Sequence, residues 1–427
     1  MEIKELYQKY LECTGVGTDT RKIESGTMFF ALKGGNFNGN AFAEEALNKG
    51  VKYVVIDEVQ YKKDDRYLLA DDALKSLQAL ANFHRRQLNI PVLAITGSNG
   101  KTTTKELISA VLSRKFKVYA TKGNLNNHIG IPLTLLSIDS SIEMAVVEMG
   151  ANHQREIASY CEYTEPDFGL ITNIGKAHLE GFGGEEGVKK GKGELFDYLL
   201  AKGRKAFVNT TDPKLVSINK FNDALTYPGK NDYCHVEFIE ASPNIVFKTE
   251  SGKKVQTQLI GAYNFINIAA ALCVGKYFGV KEEDALEAVA AYNPDNNRSQ
   301  VINKGSISII LDAYNANPSS MKAALENFGG IKAGKKVVII GDMFELGDES
   351  EKEHREIGKL LKALSFDEVF LCGKQMEYTK AEIPTAKYFS AKQDLQAELS
   401  RKSFDNATIL IKGSRGMGLE TLLEVIE

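Results

Sequence analysis

The sequence predicts an α/β protein built as three units: a small α/β unit over residues 1–90, a central domain over 91–300 with a mostly parallel sheet of the P-loop type, and a doubly wound, Rossmann-like domain over 301–427. Three observations predict it. Short apolar runs alternate with stretches of helical periodicity, the pattern of a parallel sheet with crossover helices. A glycine turn followed by Lys-Thr joins one such run to a helix. The length, 427 residues, exceeds one ordinary domain and suits about three.

Residues 1–10 alternate charged with apolar side chains and read as an amphipathic helix, without the apolar core of a signal peptide. Residues 26–32 form a predicted strand, 41–49 a short helix stopped by Gly50, 51–56 a second strand and 72–87 a helix, before Pro91 closes the unit. In the central unit 91–95 reads as a buried strand and 105–112 as a helix. A strand over 143–147 ends in Glu148, and another over 168–173 leads into a loop carrying His178. Residues 207–259 are more irregular and rich in short strand-like segments, and 261–278 read as a long alanine-rich helix. The third unit offers strands at 307–311, 336–340, 368–372 and 408–412, separated by helices. Asn317-Pro318 is a helix start, with asparagine as cap and proline at the first helical position.

Composition narrows the function. Hydrophobic residues make up 43% and charged residues 26%, ordinary for a water-exposed globular chain with real cores. A net charge of −3 and the lack of a basic run give no reason to expect nucleic acid. No apolar run approaches the ~20 residues needed to cross a bilayer, so no membrane partner is expected. Five cysteines, Cys13, Cys161, Cys234, Cys273 and Cys372, are scattered without a Cys-x-x-Cys pair, which suggests reduced thiols in a cytoplasm.

The chemistry concentrates in Thr96-Gly97-Ser98-Asn99-Gly100-Lys101-Thr102-Thr103. Glycines let backbone N–H groups face phosphate oxygens, and the following helix N-terminus adds positive potential. Lys101 can neutralise terminal phosphates, and the hydroxyl of Thr102 or Thr103 can hold magnesium. A nucleoside triphosphate is therefore the predicted ligand. The loop departs from the usual form, which places four residues between its first glycine and Gly-Lys. Here Gly97 is three positions before Gly100, and Ile95 stands where the first glycine would be.

Glu148 ends a buried strand, where a carboxylate can hold magnesium opposite the phosphate loop. The lone loop histidine His178 is by chemistry alone a poor magnesium partner, since that ion prefers oxygen. Lys189, Lys190 and Lys192 read as a solvated basic face before a helix. Asp312, with the polar residues of 313–320 after it, reads either as a ligand loop or as ordinary turn and cap chemistry. Lys412-Gly413-Ser414-Arg415-Gly416 is a strand-end loop with two cations, able to grip a carboxylate or phosphate or simply to face solvent.

Taken together, these motifs resemble one family across all three units: the ATP-dependent Mur ligases of peptidoglycan synthesis. The shortened phosphate loop is similar to that family's form, as are Gly123-Asn124-Leu125-Asn126-Asn127, Glu148-Met149-Gly150, Asn173-Ile174-Gly175 with His178, residues 261–267 and Arg298. Within the family the likeness is to members that join D-alanyl-D-alanine to UDP-N-acetylmuramoyl-tripeptide. It rests on Asp312 with residues 314–319, on Gly341-Asp342-Met343-Phe344-Glu345-Leu346-Gly347, on His354 and on residues 412–415. Thr18-Asp19-Thr20-Arg21 and Phe29-Phe30-Ala31-Leu32-Lys33-Gly34 resemble the family's UDP-sugar-binding domain.

That resemblance implies a set of roles. Lys101 acts with Gly97, Ser98, Asn99, Gly100, Thr102 and Thr103 on ATP, and Asn267, Arg298 and Asp312 also contact the nucleotide. Thr102, Glu148, His178 and Lys192 serve two magnesium ions, Lys192 as a carbamate. Lys101, Glu148, His178 and Lys192 form the catalytic set. Thr20, Arg21 and Lys33 meet the UDP-sugar, Asn127 lies near the transferred phosphate, and Asn315, Asn317 and Arg415 serve the other substrate. The resemblance further implies a cytoplasmic monomer. Two departures stand out: Asn36-Phe37-Asn38-Gly39-Asn40 replaces an Asp-Gly-His pattern, and Tyr263 takes a position that is commonly histidine. The expected reaction forms an acyl phosphate, which an amine then attacks. Rival readings are a ligase adding a single amino acid, which the 314–319 loop disfavours, a nucleotide-dependent switch and a small-molecule kinase.

Overall fold

The computed structural model describes residues 1–294 and 297–426. The predicted α/β class and the parallel central sheet are the ones observed. Near the N-terminus, four short parallel strands stand in the order Val16–Gly17, Met28–Phe30, Tyr53–Ile56 and Tyr67–Leu69. The helix Ala73–Gln87 follows, its N-terminus capped by the Asp72 carboxylate accepting from the Lys75 N–H at 2.9 Å.

That helix docks the first sheet on the central unit. Leu77, Leu80 and Ala81 are fully buried along one face, against the helices Gly130–Leu136 and Glu156–Thr164. Each buried leucine contributes about 1.5–3 kcal/mol. Polar groups fix the join. Tyr10 Oη donates to the Leu136 carbonyl at 2.6 Å, and a His84 ring nitrogen lies 2.8 Å from the Ile138 carbonyl. Arg85 donates to the carbonyls of Thr164 and Glu165 and pairs with Asp167 at 2.8 Å.

The central sheet has six parallel strands in the order Leu225–Tyr227, Lys205–Asn209, Phe168–Ile171, Val92–Thr96, Met144–Glu148 and Val118–Ala120. Val92–Thr96 and Met144–Glu148 are buried at every residue, as expected for strands covered on both faces. A separate antiparallel sheet, Val236–Ala241, Asn244–Thr249 and Lys254–Ile260, accounts for the irregular stretch. The alanine-rich helix runs over Phe265–Tyr277, preceded by a 3-10 turn at Ala262–Asn264.

The last sheet orders as Gln300–Lys304, Ile307–Asp312, Ala407–Lys412, Lys335–Gly341, Glu368–Cys372 and Lys387–Phe389. All its pairs are parallel except the first, an antiparallel edge strand that the sequence reading did not contain. The helix start expected at Asn317-Pro318 is a full capping box on the helix Pro318–Gly330, closed by Ser320.

Candidate active site

Register brings the chemistry to one sheet edge. Ile95 lies beside Glu148 and Thr96 beside Ile171, so Gly97, Glu148 and Thr172 leave their strands together. This is the carboxyl edge at which open parallel sheets bind ligands. The loop that follows is short because a neighbouring segment braces it. Ser98 N–H donates to the Asn173 carbonyl (3.0 Å), Asn99 N–H to Asn173 Oδ1 (3.1 Å), and Thr172 Oγ1 to the Asn99 carbonyl (2.6 Å). Gly97 has φ +141° and Gly100 φ +76°, conformations that side chains rarely adopt. A Cβ at Gly97 would lie 2.0 Å from Thr172 Oγ1, and one at Gly100 2.8 Å from Asn267 Oδ1.

The helix after the loop begins at Lys101, four residues before the predicted start, and no side chain caps it. Its first N–H groups are thus available to an anion. Lys101 Nζ folds back onto the carbonyls of Gly97 (2.7 Å) and Ser98 (3.3 Å), and burial pushes its ammonium down to about 8. Thr102 Oγ1 donates to Glu148 Oε2 at 2.9 Å, and Asn126 Nδ2 donates to Glu148 Oε1 at 2.7 Å. A hydroxyl and a carboxylate thus meet beside the loop.

The cavity around these groups has a volume of about 870 Å³. Of the residues expected to serve, Ser98, Asn99, Gly100, Lys101, Thr102, Thr103, Asn127, Glu148, His178, Asn267, Arg298, Asp312, Asn315, Asn317 and Arg415 all line it. Ten asparagines are among its lining residues. Asn127 Oδ1 accepts from the N–H groups of Ile129 and Gly130 at the start of a helix. Asn267 Oδ1 accepts from Thr104 Oγ1 at 3.0 Å. Arg298 lies 3.6 Å over the Tyr314 ring, and its buried Nε finds no hydrogen-bond partner among the described residues.

The third unit supplies the opposite wall. Asp312 accepts from the Ser299 N–H and pairs with buried Lys412 at 2.6 Å, which also donates to the Asn315 carbonyl. Arg415 donates to Tyr314 Oη at 3.2 Å. Contacts cross between the units around the cavity: Asn317 Nδ2 to Asn99 Oδ1 (2.7 Å), Lys176 N–H to Ser319 Oγ (2.9 Å), Lys176 to Glu353 (2.6 Å) and His178 to Glu345. The His178 imidazole holds the Glu345 carboxyl below its ordinary value.

Lys192 overturns the solvated reading. It lies inside the helix Glu185–Ala201, fully buried, with Nζ donating to the Ala151 carbonyl at 2.9 Å and lying 4.8 Å from the centre of the Phe182 ring. Burial, with Lys101 adding to it, holds its ammonium well below the ordinary range. It is not among the cavity-lining residues. Thr20, Arg21 and Lys33 do not line the cavity either. The Thr20 carbonyl accepts from Lys49, Arg21 forks onto Asp19, and Lys33 bridges Asp57 and Glu58. Of the departing residues, Asn40 is buried and hydrogen-bonds Asp57, and Tyr263 Oη lies 2.8 Å from Ser299 Oγ.

Sequence reasoning does not single out Asn126, Glu345, Lys176 or Glu353. Asn126 and Glu345 lie inside recognisable motifs, one beside Asn127 and the other in the middle of the 341–347 loop. Lys176 and Glu353 are 177 positions apart, and only the folded chain joins them.

Three segments match family profiles: residues 12–118 the Mur ligase family catalytic domain, 95–275 the Mur ligase middle domain, and 297–415 the Mur ligase glutamate ligase domain. The chain is 35% identical to the UDP-N-acetylmuramoyl-tripeptide–D-alanyl-D-alanine ligase of Bacillus subtilis over 422 residues, 96% of this chain and 92% of that one. MurF from Acinetobacter baumannii superposes with a TM-score of 0.88 at 30% identity, covering 99% and 97% of the two chains. MurF ligase from Thermotoga maritima, solved in complex with ADP, superposes with 0.85 at 26% identity over 97% of each.

Proposed function

The chain belongs to the Mur ligase family, and from that premise we propose that it is an ATP-dependent ligase joining D-alanyl-D-alanine to UDP-N-acetylmuramoyl-tripeptide in peptidoglycan precursor synthesis. The observation that carries the reading is a single cavity walled by the phosphate loop on one side and by Asp312, Asn315, Asn317 and Arg415 on the other. Such a cavity holds an activating nucleotide and an incoming amine together. In this reading residues 1–90 hold the UDP-sugar, 91–300 the ATP and 301–427 the dipeptide, in a cytoplasmic monomer. None of the helices among the described residues is long and apolar enough to cross a membrane.

A peptide carboxylate is a poor electrophile because oxide would have to leave. Phosphoryl transfer from ATP makes a mixed anhydride, from which phosphate leaves when the dipeptide amine attacks. The protein's task is positioning and charge neutralisation, not nucleophilic attack. Lys101 can turn from the carbonyls of Gly97 and Ser98 to a phosphate, and the uncapped helix offers N–H groups to the same anion. Arg298 brings a donor with no partner among the described residues. The Arg415 guanidinium suits the dipeptide carboxylate.

The donor set fits magnesium. Among the described residues no group of three or more His, Cys, Asp and Glu gathers to hold a metal. Thr102 and Glu148, touching at 2.9 Å, would supply hard oxygen ligands to such an ion, leaving room for phosphate and water. Bound there, magnesium would neutralise charge developing on the phosphates. His178 would take part from the cavity wall, and Lys192 only after conversion to a carbamate.

Phosphate release from ATP, with each substrate omitted in turn, tests the proposal. Release should require both UDP-N-acetylmuramoyl-tripeptide and D-alanyl-D-alanine. Equal release with neither present would overturn it. Lys101→Ala should abolish turnover without unfolding the chain.

A further inference from the structure

Lys105 stands on the helix Lys101–Leu112 that opens the phosphate site, yet it does not line the cavity. It is 3% exposed, and its Nζ donates to the Thr121 carbonyl at 2.7 Å, with Glu106 Oε1 at 3.8 Å. Removing an ammonium from water is costly, and a methionine of similar length would fill the same space without that cost. What the ammonium holds is therefore informative. Thr121 is buried too; its N–H donates to the Val146 carbonyl at 3.0 Å, and its Oγ1 accepts from the Glu148 N–H at 2.9 Å. One residue thus joins Lys105 to the backbone of Glu148. We propose that Lys105, acting through Thr121, is a positioning residue that holds Glu148 against Thr102 for the magnesium of bound ATP.

The inference rests on the reading of Thr102 and Glu148 as the magnesium-binding pair. Lys105 follows Thr102 by three positions and Lys101 by four, so the three share one face of the helix. Two bridges about one turn apart run from that face to the end of one strand. Thr102 Oγ1 reaches the Glu148 carboxylate directly at 2.9 Å, and Lys105 reaches the Glu148 backbone by way of Thr121. Thr121 also begins the segment that carries Asn124, Asn126 and Asn127 into the cavity. Asn126 secures the far side of it, its carbonyl accepting from the Gly150 N–H and its amide donating to Glu148 Oε1, each at 2.7 Å.

Neither Lys105 nor Thr121 lines the cavity, so both act through Glu148 and not on a ligand. Without the ammonium the Thr121 carbonyl loses its donor, and the entry to the asparagine segment is free to shift against the phosphate helix. Glu148 keeps its charge, but its spacing to Thr102 is no longer fixed from behind. The loop N–H groups and Lys101 would still meet the phosphates, so the loss falls on the metal. Removing a group that orients a metal-binding side chain costs roughly 10- to 100-fold in metal affinity.

The test is calorimetric titration of the full chain with ATP, the other substrates omitted, once with magnesium and once with EDTA. The ratio of the two affinities is the gain that the metal confers. Lys105→Met should shrink that ratio roughly tenfold or more and leave the EDTA affinity within about threefold. Thr121→Val, which removes the acceptor of the Glu148 N–H, should shrink it likewise, whereas Thr121→Ser, which keeps that acceptor, should preserve it. A merely structural Lys105 would lower the melting temperature and leave the ratio alone. An unchanged ratio in Lys105→Met or in Thr121→Val would overturn the proposal. A ratio of one in the unsubstituted chain would instead overturn the magnesium reading of Thr102 and Glu148, and this proposal with it. If Lys105→Met fails to fold, Thr121→Val against Thr121→Ser decides.

Discussion

Replacing Gly97 by alanine should damage the phosphate loop far more than the same change at Gly100. At Gly97 the new methyl would sit 2.0 Å from Thr172 Oγ1 and 3.0 Å from a backbone nitrogen, at φ +141°. Relief requires the Thr172 hydroxyl to swing off the Asn99 carbonyl, which it now meets at 2.6 Å. Backbone strain of about 1–3 kcal/mol and a lost hydrogen bond of about 1 kcal/mol sum to roughly 2–4 kcal/mol. At Gly100 the obstacle is the end of the Asn267 side chain, 2.8 Å away, and φ +76° is a left-handed conformation costing an alanine about 1–2 kcal/mol. Calorimetric titration with ATP should therefore show affinity weakened roughly 30- to 1,000-fold in Gly97→Ala and about 5- to 30-fold in Gly100→Ala. A thermal melt of each variant records any part of the strain taken as lost stability. If Gly97→Ala bound ATP within threefold of the unsubstituted chain and melted at the same temperature, the account of the short loop would be wrong.

Other changes give distinct readouts. Arg85→Ala, which leaves Asp167 with the more exposed Arg204 as its cationic partner and strips the carbonyls of Leu88, Thr164 and Glu165 of a donor, should cost about 2–4 kcal/mol in urea unfolding. Glu353→Gln weakens the Lys176 link between the second and third units. It should lower kcat roughly 5- to 30-fold while leaving the ATP dissociation constant nearly unchanged, as steady-state kinetics and titration would show. His84 and His354 are buried, and burial lowers both below the ordinary 6.5. The unfolded chain therefore takes up protons first on acidification. Melting temperature should fall as pH drops below 6.5, and less steeply in His354→Gln, which removes one of the two groups.

The strands that carry the site are legible because each is a short, mostly apolar run with a polar residue at its end or just past it. The burial of Lys192 runs against what its charge suggests, although Val188, Leu195, Phe196 and Leu199 mark the same buried face at three- and four-residue spacing. Glycines on that face leave room for neighbours: a Cβ at Gly191 would lie 2.4 Å from the Phe182 ring. The strand Val118–Ala120 leaves no clear sequence pattern because it is three residues long and only half buried. Pairings such as Asp312 with Lys412, 100 positions apart, depend on sheet register, which no local pattern encodes.

The asparagines that line the cavity bear on how it copes with changing charge. An amide group does not titrate at physiological pH, yet offers both donors and acceptors. As a γ-phosphate becomes an acyl phosphate and then free phosphate, such a wall can answer each new pattern of oxygens by small rotations, with no proton gained or lost by the protein. It behaves like a shell of tethered solvent whose dipoles are already aimed inward, without the mobile water that would destroy the anhydride.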